Sequence, residues 1–377
     1  FSCKMSDDVW SGLSSDDLRS LDVAVARYHD EGFVFPTPCL FRFAFSRGVD
    51  AEAADGRTGG AHGQSAEIDG ANNPTYQMRS VYLTRYADFY GRCCCPGSPY
   101  YWSQYRFKSH LFLPWVYDLV VRNPYIQQLA QRLLRTRTVV IWSTDWCVKR
   151  GTSRSEGGTE HFTWHQDSTY SGFTHATGLT LWIAFSEVRA SSGPVLFKPG
   201  THKVGQFRHV EHANDEGNLL AFGQCIPEDV EEPGQPDAGA GAGARDVERA
   251  GPQMSAPEAP TGLRSWSSLP TVAACNLRPG EASAHSMWAI HSSQPNGDPQ
   301  DRVGLAVRLV AGHAGTGRRD RVTLLCGDAT QVGGFELEEH VPEEEFGEFE
   351  LREWDLSMER EKEIYFVGRD LEGVGYK

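Results

Sequence analysis

The chain contains 377 residues, of which 40% are hydrophobic, and this is enough for the packed core of one large or two ordinary domains. Its formal net charge of -14 disfavours a nucleic-acid-binding role, because phosphate contacts need a basic surface. No run of about 18 apolar residues occurs, so we expect no membrane span.

The nine cysteines are odd in number and irregularly spaced. Cys93, Cys94 and Cys95 are adjacent, but no second cluster follows at zinc-finger spacing. Free thiols in a reducing compartment are therefore expected rather than a structural zinc site. Because the first residue is Phe, we expect an incomplete N-terminus and, by default, a cytoplasmic location, with a targeting peptide left open.

The first third of the chain predicts helices. Ser14 or Ser15 is a suitable N-cap for an amphipathic helix that ends near Gly32, and a short strand over residues 33–35 follows. Residues 114–121 and 124–134 predict two further helices, each opened by a proline. Residues 48–74 are rich in Gly, Ala, Asp and Asn without periodicity, which predicts a flexible surface insertion.

The rest of the chain predicts strands, because short β-branched or aromatic segments alternate with Gly or Pro turns. The predicted strands begin at Val139 and include residues 161–167, 178–186, 193–198, 270–277, 282–291 and 303–310. Many short strands without intervening helices favour an antiparallel barrel or jelly roll. The fold class expected is therefore mainly β, with N-terminal helices flanking the strands.

Two further segments interrupt or extend this pattern. Residues 227–265 combine an acidic stretch with an Ala-Gly repeat, and they predict a disordered loop inside one domain that spans residues 1–377. Residues 341–377 form an acidic C-terminal extension, which usually indicates a solvated surface.

The sequence Trp164-His165-Gln166-Asp167 is the first candidate site. In a strand, His165 and Asp167 lie on one face and could supply two metal ligands. His291 in a later strand could supply the third. Two histidines and one carboxylate with open positions are typical of non-haem Fe(II) oxygenases. Taken alone, the His-x-Asp pattern recurs by chance in many proteins.

A longer series of motifs resembles the phytanoyl-CoA dioxygenase family. The series consists of Trp164-His165-Gln166-Asp167, Trp182-Ile183-Ala184, Lys198-Pro199-Gly200-Thr201-His202-Lys203, Leu277-Arg278-Pro279-Gly280-Glu281, His291, Pro295-Asn296 and Arg302. The resemblance covers roughly residues 14–340, with insertions at 48–74 and 227–265. It implies a double-stranded β-helix (a jelly roll of the cupin type) and an oxygenase that depends on Fe(II), 2-oxoglutarate and O2.

The resemblance also implies residue roles. His165, Asp167 and His291 match the iron ligands, and Arg302 matches the residue that binds the distal carboxylate of 2-oxoglutarate. Arginine suits that role because its planar donor fork matches a carboxylate. Three more residues match positions near the cosubstrate, namely Ser293, Trp182 and, in a looser alignment, Lys108. Related halogenases have Gly or Ala at the carboxylate position, so Asp167 disfavours halogenation.

Four further residues are candidates for the substrate pocket. Tyr170 and Phe173 follow Asp167 and either border the substrate cavity or pack in the core. His175 lies in the loop that follows. Strand alternation places His285 on the same face as His291, where it either lines the pocket or is a packed core histidine.

The function expected is hydroxylation of a small organic molecule, with 2-oxoglutarate converted to succinate and CO2. Three alternatives stay open. The same cofactors could serve desaturation, epoxidation or cyclisation of a secondary metabolite. The protein could instead be a non-catalytic metal-binding jelly roll, or the insert and acidic tail could add a scaffold role. Substrate and oligomeric state are not specified by the sequence.

Overall fold

The computed structural model describes residues 13–38, 40–43, 74–154, 157–171, 177–212, 217–220, 223–228, 265–315 and 318–365. Its helices are α1 (Ser15–Glu31), α2 (Pro74–Cys94), α3 (Trp102–Tyr105), α4 (Pro114–Val120), α5 (Pro124–Leu134), α6 (Ser168–Ser171) and α7 (Glu348–Tyr365). Its strands are β1 (Phe33–Thr37), β2 (Val139–Lys149), β3 (Phe162–His165), β4 (Gly178–Ala184), β5 (Val195–Phe197), β6 (Val272–Ala273), β7 (Ala282–Ser286), β8 (His291–Ser293), β9 (Arg302–Ala311), β10 (Arg321–Cys326) and β11 (Glu336–Leu337).

The strands form two sheets. The large sheet has seven strands in the order β1-β7-β4-β9-β2-β10-β11, and the small sheet has four in the order β3-β8-β5-β6. The pairs are antiparallel except for β10 and β11. The expectation of a strand-rich core flanked by N-terminal helices is confirmed at this level.

The two faces of the large sheet have different partners. Successive side chains of a strand point to opposite faces. On β4, Leu179, Leu181 and Ile183 pack in the main apolar core, which also contains residues of α1, α2, α4 and α5. Trp182 packs on the other face with Phe162 of the small sheet. The small sheet therefore covers the face that the helices leave free.

Helix α1 begins and ends as its sequence predicts. The Ser14 hydroxyl accepts a hydrogen bond from the backbone N–H of Asp17, and the Asp17 carboxylate accepts one from the backbone N–H of Ser14, which is a capping box. Gly32 ends the helix at a φ of 89°, where a side chain would be strained. Helices α4 and α5 each begin with a proline, as predicted.

Several predicted strands are shorter than expected, and two of these differences concern the candidate site. The predicted strand over 161–167 ends at His165, so Asp167 lies in the turn that leads into α6. The predicted strand over 282–291 is broken into β7 and β8, which belong to different sheets. Residues 287–290 carry the chain from one sheet to the other, and the N–H of Met287 bonds to the carbonyl of Gly178. The shared strand face expected for His285 and His291 is therefore wrong, and facing sheets bring these residues together instead.

The acidic C-terminal extension is more than a solvated surface. Trp354 and Met358 of α7 are buried in the main core, and the indole N–H of Trp354 donates to the carbonyl of Phe107 at 2.9 Å. The apolar residues between the acids thus anchor this helix. Residues 48–73, 229–264 and 366–377, where the insertions and the end of the tail were predicted, lie outside the described residues. None of the helices that the structure describes is long and apolar enough to cross a bilayer.

Candidate metal centre

Three buried side chains meet between the two sheets. His165 at the end of β3 is the register partner of His291 at the start of β8, and Asp167 joins them from the turn. One ligand atom from each residue lies within 4.8 Å of the others. Asp167 Oδ1 is 3.6 Å from His165 Nε2 and 3.8 Å from His291 Nε2. The described part of the chain holds one cluster with such metal-ligand geometry.

Backbone hydrogen bonds orient both histidines toward this cluster. His165 donates its Nδ1–H to the carbonyl of Thr163 at 2.7 Å, and His291 donates its Nδ1–H to the carbonyl of Ala289 at 2.9 Å. These bonds leave a lone pair on each Nε2. That tautomer is the one required for metal binding through Nε2.

The protonation states also favour metal binding. Burial opposes ionisation of Asp167, but the nearby imidazoles of His165, His285 and His291, together with the charge of Arg308, hold the pKa of its carboxyl well below its usual range. Burial and the neighbouring histidines lower the pKa of His291 well below its usual value. The site therefore presents a carboxylate and a neutral imidazole at neutral pH.

Gln166, between the two ligands in the sequence, fixes the turn that carries Asp167. Its side-chain amide donates to the carbonyls of Gly205 and Trp288, both at 2.8 Å. Its side-chain oxygen accepts from the N–H of Phe207 at 2.7 Å. This fully buried side chain joins three chain segments, which explains how Asp167 keeps its position without strand pairing.

A cationic site lies beside the cluster. Ser293 is two residues beyond His291 in β8, so the two side chains share a face, about 7 Å apart along the strand. Arg302 at the start of β9 is buried and donates from Nη1 to the Gly193 carbonyl at 2.8 Å and to Ser293 Oγ at 3.4 Å. Its Nε has no hydrogen-bond partner among the described residues. Part of its donor fork is thus available to a ligand.

The indole ring of Trp182 packs against the guanidinium of Arg302. The Arg302 Cζ atom lies 4.8 Å from the centre of the Trp182 ring, which is a cation–π distance. The indole fits against β9 because residue 304 is glycine: a Cβ there would lie 1.9 Å from Trp182 Cζ2. The structure therefore brings together Arg302, Ser293 and Trp182, as the sequence predicted.

Lys149, which was not predicted from the sequence, completes this cationic site. It is the register partner of Arg302 in the pairing of β2 with β9, and its side chain is fully buried. Its amine donates to the Ser293 hydroxyl and to the Gln294 carbonyl. Burial and the charge of Arg302 lower the pKa of Lys149 to about 5. The sequence signal that could have identified it is its position at the end of the strand that begins at Val139.

Lys108 lies in a different environment. Its ammonium contacts the Glu338 carboxylate at 3.2 Å, the Ser357 hydroxyl at 2.7 Å and the Arg321 carbonyl at 2.8 Å. These partners belong to α7 and the β10–β11 edge of the large sheet, so its donors are committed away from Arg302. Phe173 and His175 lie outside the described residues, as does the side chain of Tyr170. His285 lies against Asp167, with its Nε2 3.7 Å from Oδ2.

The chain is similar to a known protein family. The family model "Phytanoyl-CoA dioxygenase (PhyH)" matches residues 110–304, just over half of the chain. No curated protein matches the sequence significantly.

Three solved structures are similar to this chain. The apo form of ThoJ, a non-haem monooxygenase, is 19% identical with a TM-score of 0.54, and the alignment covers 90% of this chain and 96% of that chain. SnoN, described as a non-haem α-ketoglutarate-dependent epimerase from nogalamycin biosynthesis, has 17% identity and a TM-score of 0.45, covering 78% and 85% of the two chains. EvdO2 from Micromonospora carbonacea var. aurantiaca, complexed with 2-oxoglutarate, has 16% identity and a TM-score of 0.45, covering 77% and 90%. At these identities, the ThoJ match shows a common fold and nothing finer.

Proposed function

The chain belongs to the phytanoyl-CoA dioxygenase family, an oxygenase family that uses Fe(II) and 2-oxoglutarate, and on that premise we propose that it hydroxylates a small organic molecule. We also infer that its two facing sheets form the double-stranded β-helix expected from the sequence. Family membership disfavours the alternative of a non-catalytic metal-binding protein.

One observation carries the proposal: a metal-ligand cluster lies directly beside a buried cationic site. His291 and Ser293 share one face of β8, and Arg302 donates to Ser293. Among the described residues, no carboxylate pairs with Arg302 or Lys149. Arg302 is a buried cation without a neutralising anion, and the Lys149 amine beside it can take up a proton, so the site is suited to a ligand that brings negative charge. A short dicarboxylate that also reaches the metal meets this requirement.

The donor set fits a divalent iron. We assign His165 Nε2, His291 Nε2 and Asp167 Oδ1 as the three protein ligands that would hold it, because two histidines and one carboxylate are the ligand set typical of non-haem Fe(II) oxygenases. We assign Arg302, Ser293 and Trp182 to the distal carboxylate of 2-oxoglutarate, with Lys149 in place of Lys108. When bound, Fe(II) and 2-oxoglutarate supply the oxidising power that inserts an oxygen atom from O2 into the substrate, with release of succinate and CO2.

The protein's own contribution is orientation and exclusion of water. The backbone carbonyls of Thr163 and Ala289 hold the two imidazoles in the ligating tautomer. Thr180 donates its hydroxyl to Asp167 Oδ2 at 2.6 Å and so fixes the carboxylate plane. All three ligands are buried, which strengthens their electrostatic interaction with a cation.

The proposal is tested with protein loaded anaerobically with Fe(II) and exposed to O2, 2-oxoglutarate and a panel of small organic substrates. We expect substrate-dependent succinate formation and a product heavier by one oxygen atom. His165→Ala should lose iron binding and turnover. Absence of both iron binding and 2-oxoglutarate turnover in the unaltered protein would contradict the proposal. A product lighter by two hydrogens would instead identify desaturation or ring closure.

A further inference from the structure

His285 is a third histidine at the metal cluster, and no role follows for it from the ligand assignment. It lies in β7 between its register partners Thr180 of β4 and Phe33 of β1. Its side chain is 3% exposed and points into the space between the sheets, with its ring centre 4.4 Å from that of His291. It is therefore enclosed beside the cluster rather than exposed at its rim.

Both ring nitrogens of His285 lack a hydrogen-bond partner among the described residues. This distinguishes it from His165 and His291, whose Nδ1–H groups donate to backbone carbonyls. A buried polar atom without a partner typically lowers stability by about 1–3 kcal/mol. A buried imidazole whose two nitrogens both lack a partner therefore calls for a functional explanation.

The polar atom near His285 Nε2 is Asp167 Oδ2, at 3.7 Å. The two oxygens of Asp167 have different surroundings. Oδ1 faces the Nε2 atoms of His165 and His291, whereas Oδ2 accepts a hydrogen bond from Thr180 and faces His285. Oδ1 is thus on the metal side of the carboxylate, and Oδ2 is on the side held by the protein.

We propose that His285 is a positioning residue of the metal centre, which donates its Nε2–H to Asp167 Oδ2 once a divalent cation draws the ligands together. With Thr180, it restricts Asp167 to coordination through Oδ1 alone. A carboxylate bound through both oxygens would occupy a position that the cosubstrate or O2 needs. The inference rests on the ligand assignment of the proposed function.

The test compares two variants by titration of the metal-free protein with Co(II), whose absorption spectrum reports coordination. His285→Phe removes the donor but fits among aromatic rings, since the Phe197 ring centre is 5.2 Å away. We expect Co(II) affinity to fall by about tenfold to a hundredfold, as is typical when an outer partner of a ligand is lost. His285→Gln, which keeps an N–H donor at similar reach, should retain affinity to within about threefold.

The second readout is the melting temperature of the metal-free protein, which should not fall in His285→Phe although its Co(II) affinity does. Because His285→Phe removes an unpartnered polar group, its melting temperature without metal should equal or exceed that of the unaltered protein. A purely structural histidine would instead give a lower melting temperature in both variants. That result, or unchanged Co(II) affinity in His285→Phe, would overturn the proposal. A change of coordination number in the Co(II) spectrum of His285→Gln would overturn it too, since it would make His285 a direct ligand.

Two further variants separate this inference from the proposed function. Thr180→Val removes the other donor to Oδ2 and should weaken Co(II) binding in the same direction. His165→Ala should abolish Co(II) binding at the site. If His165→Ala binds Co(II) normally, the ligand assignment itself fails, whereas normal binding by His285→Phe alone removes only the positioning role.

Discussion

Two buried lysines of this protein differ in whether the fold supplies their counter-ion. Lys108 contacts the Glu338 carboxylate at 3.2 Å, beneath α7. Lys149 has hydroxyl and carbonyl acceptors only, and its charged neighbour is the guanidinium of Arg302. Glu160, the acid that acts on it from a distance, is paired with Arg150. A buried lysine whose anion is supplied by the fold is part of the structure, whereas buried basic groups without an anion indicate a binding site.

The largest effect is expected when the ion pair between Lys108 and Glu338 is broken. Lys108→Met should lower the free energy of unfolding by about 3–5 kcal/mol, because it leaves the buried Glu338 carboxylate without its cation. Urea unfolding measures this. The double variant Lys108→Met/Glu338→Leu should recover much of the loss. Binding of 2-oxoglutarate by the folded fraction should not change, and a large change would show that Lys108 belongs to the cosubstrate site after all.

Arg302→Leu should weaken the binding of 2-oxoglutarate without lowering the stability of the protein. Loss of charge-assisted hydrogen bonds to a carboxylate should raise the Kd of 2-oxoglutarate by about a hundredfold. Calorimetry on the metal-loaded protein without substrate measures it. Stability of the empty protein should be unchanged or higher, since a buried and unneutralised cation is removed. Arg302→Lys is the matched control, and it should bind poorly because it lacks the planar fork.

The third prediction concerns the protonation of the Lys149 amine when 2-oxoglutarate binds. Burial, with the charge of Arg302, lowers the pKa of Lys149 to about 5, so its amine is unprotonated in the empty site at pH 7.5. A bound carboxylate favours the ammonium and raises that pKa. Binding should therefore take up to about one proton, and affinity should fall as pH rises, by at most about tenfold per unit. Cys147 and Glu160 also act on the amine, but both favour its charged form.

Calorimetry in buffers of different ionisation enthalpy measures this uptake. Lys149→Met should abolish it and weaken 2-oxoglutarate binding by about tenfold. Uptake that persists in the variant would assign the proton to another group.

The smallest effect concerns the support of Arg302. Gly304→Ala places a Cβ where the Trp182 ring lies and should displace the indole from beneath the guanidinium. Because an enclosed cation–π contact contributes about 1 kcal/mol, the Kd of 2-oxoglutarate should rise a few-fold. Gly91→Ala in α2, where a Cβ meets nothing within 4 Å, is the matched control and should leave the Kd unchanged.

Local spacing and family motifs were enough to predict which side chains gather at the cluster. His165 and Asp167 are two residues apart, and His291, Ser293 and Arg302 follow one another closely. The prediction that His165 and Asp167 share a strand face is wrong, however, because β3 ends at His165. The turn held by Gln166, whose contacts are distant in sequence, positions Asp167 instead.

Pairings between distant segments could not be predicted in the same way. Lys149 and Lys108 are both lysines beside apolar residues, and their sequences do not show which one faces Arg302. The register of β2 against β9 decides it. The same holds for His285, whose position beside Asp167 depends on the break between β7 and β8. Burial without a partner is visible only once the strands are assembled.

The division of the candidate site between two sheets has a mechanical consequence. The small sheet contributes His165, His291 and Ser293, and the large sheet contributes Trp182 and Arg302. A ligand held by residues of both sheets acts as a removable cross-link between them. Slow amide hydrogen exchange in β8 and β9 should accordingly depend on whether that cross-link is present, while exchange in α5, on the helical side, should not. The cosubstrate would thus stabilise the packing of the two sheets as well as take part in the reaction.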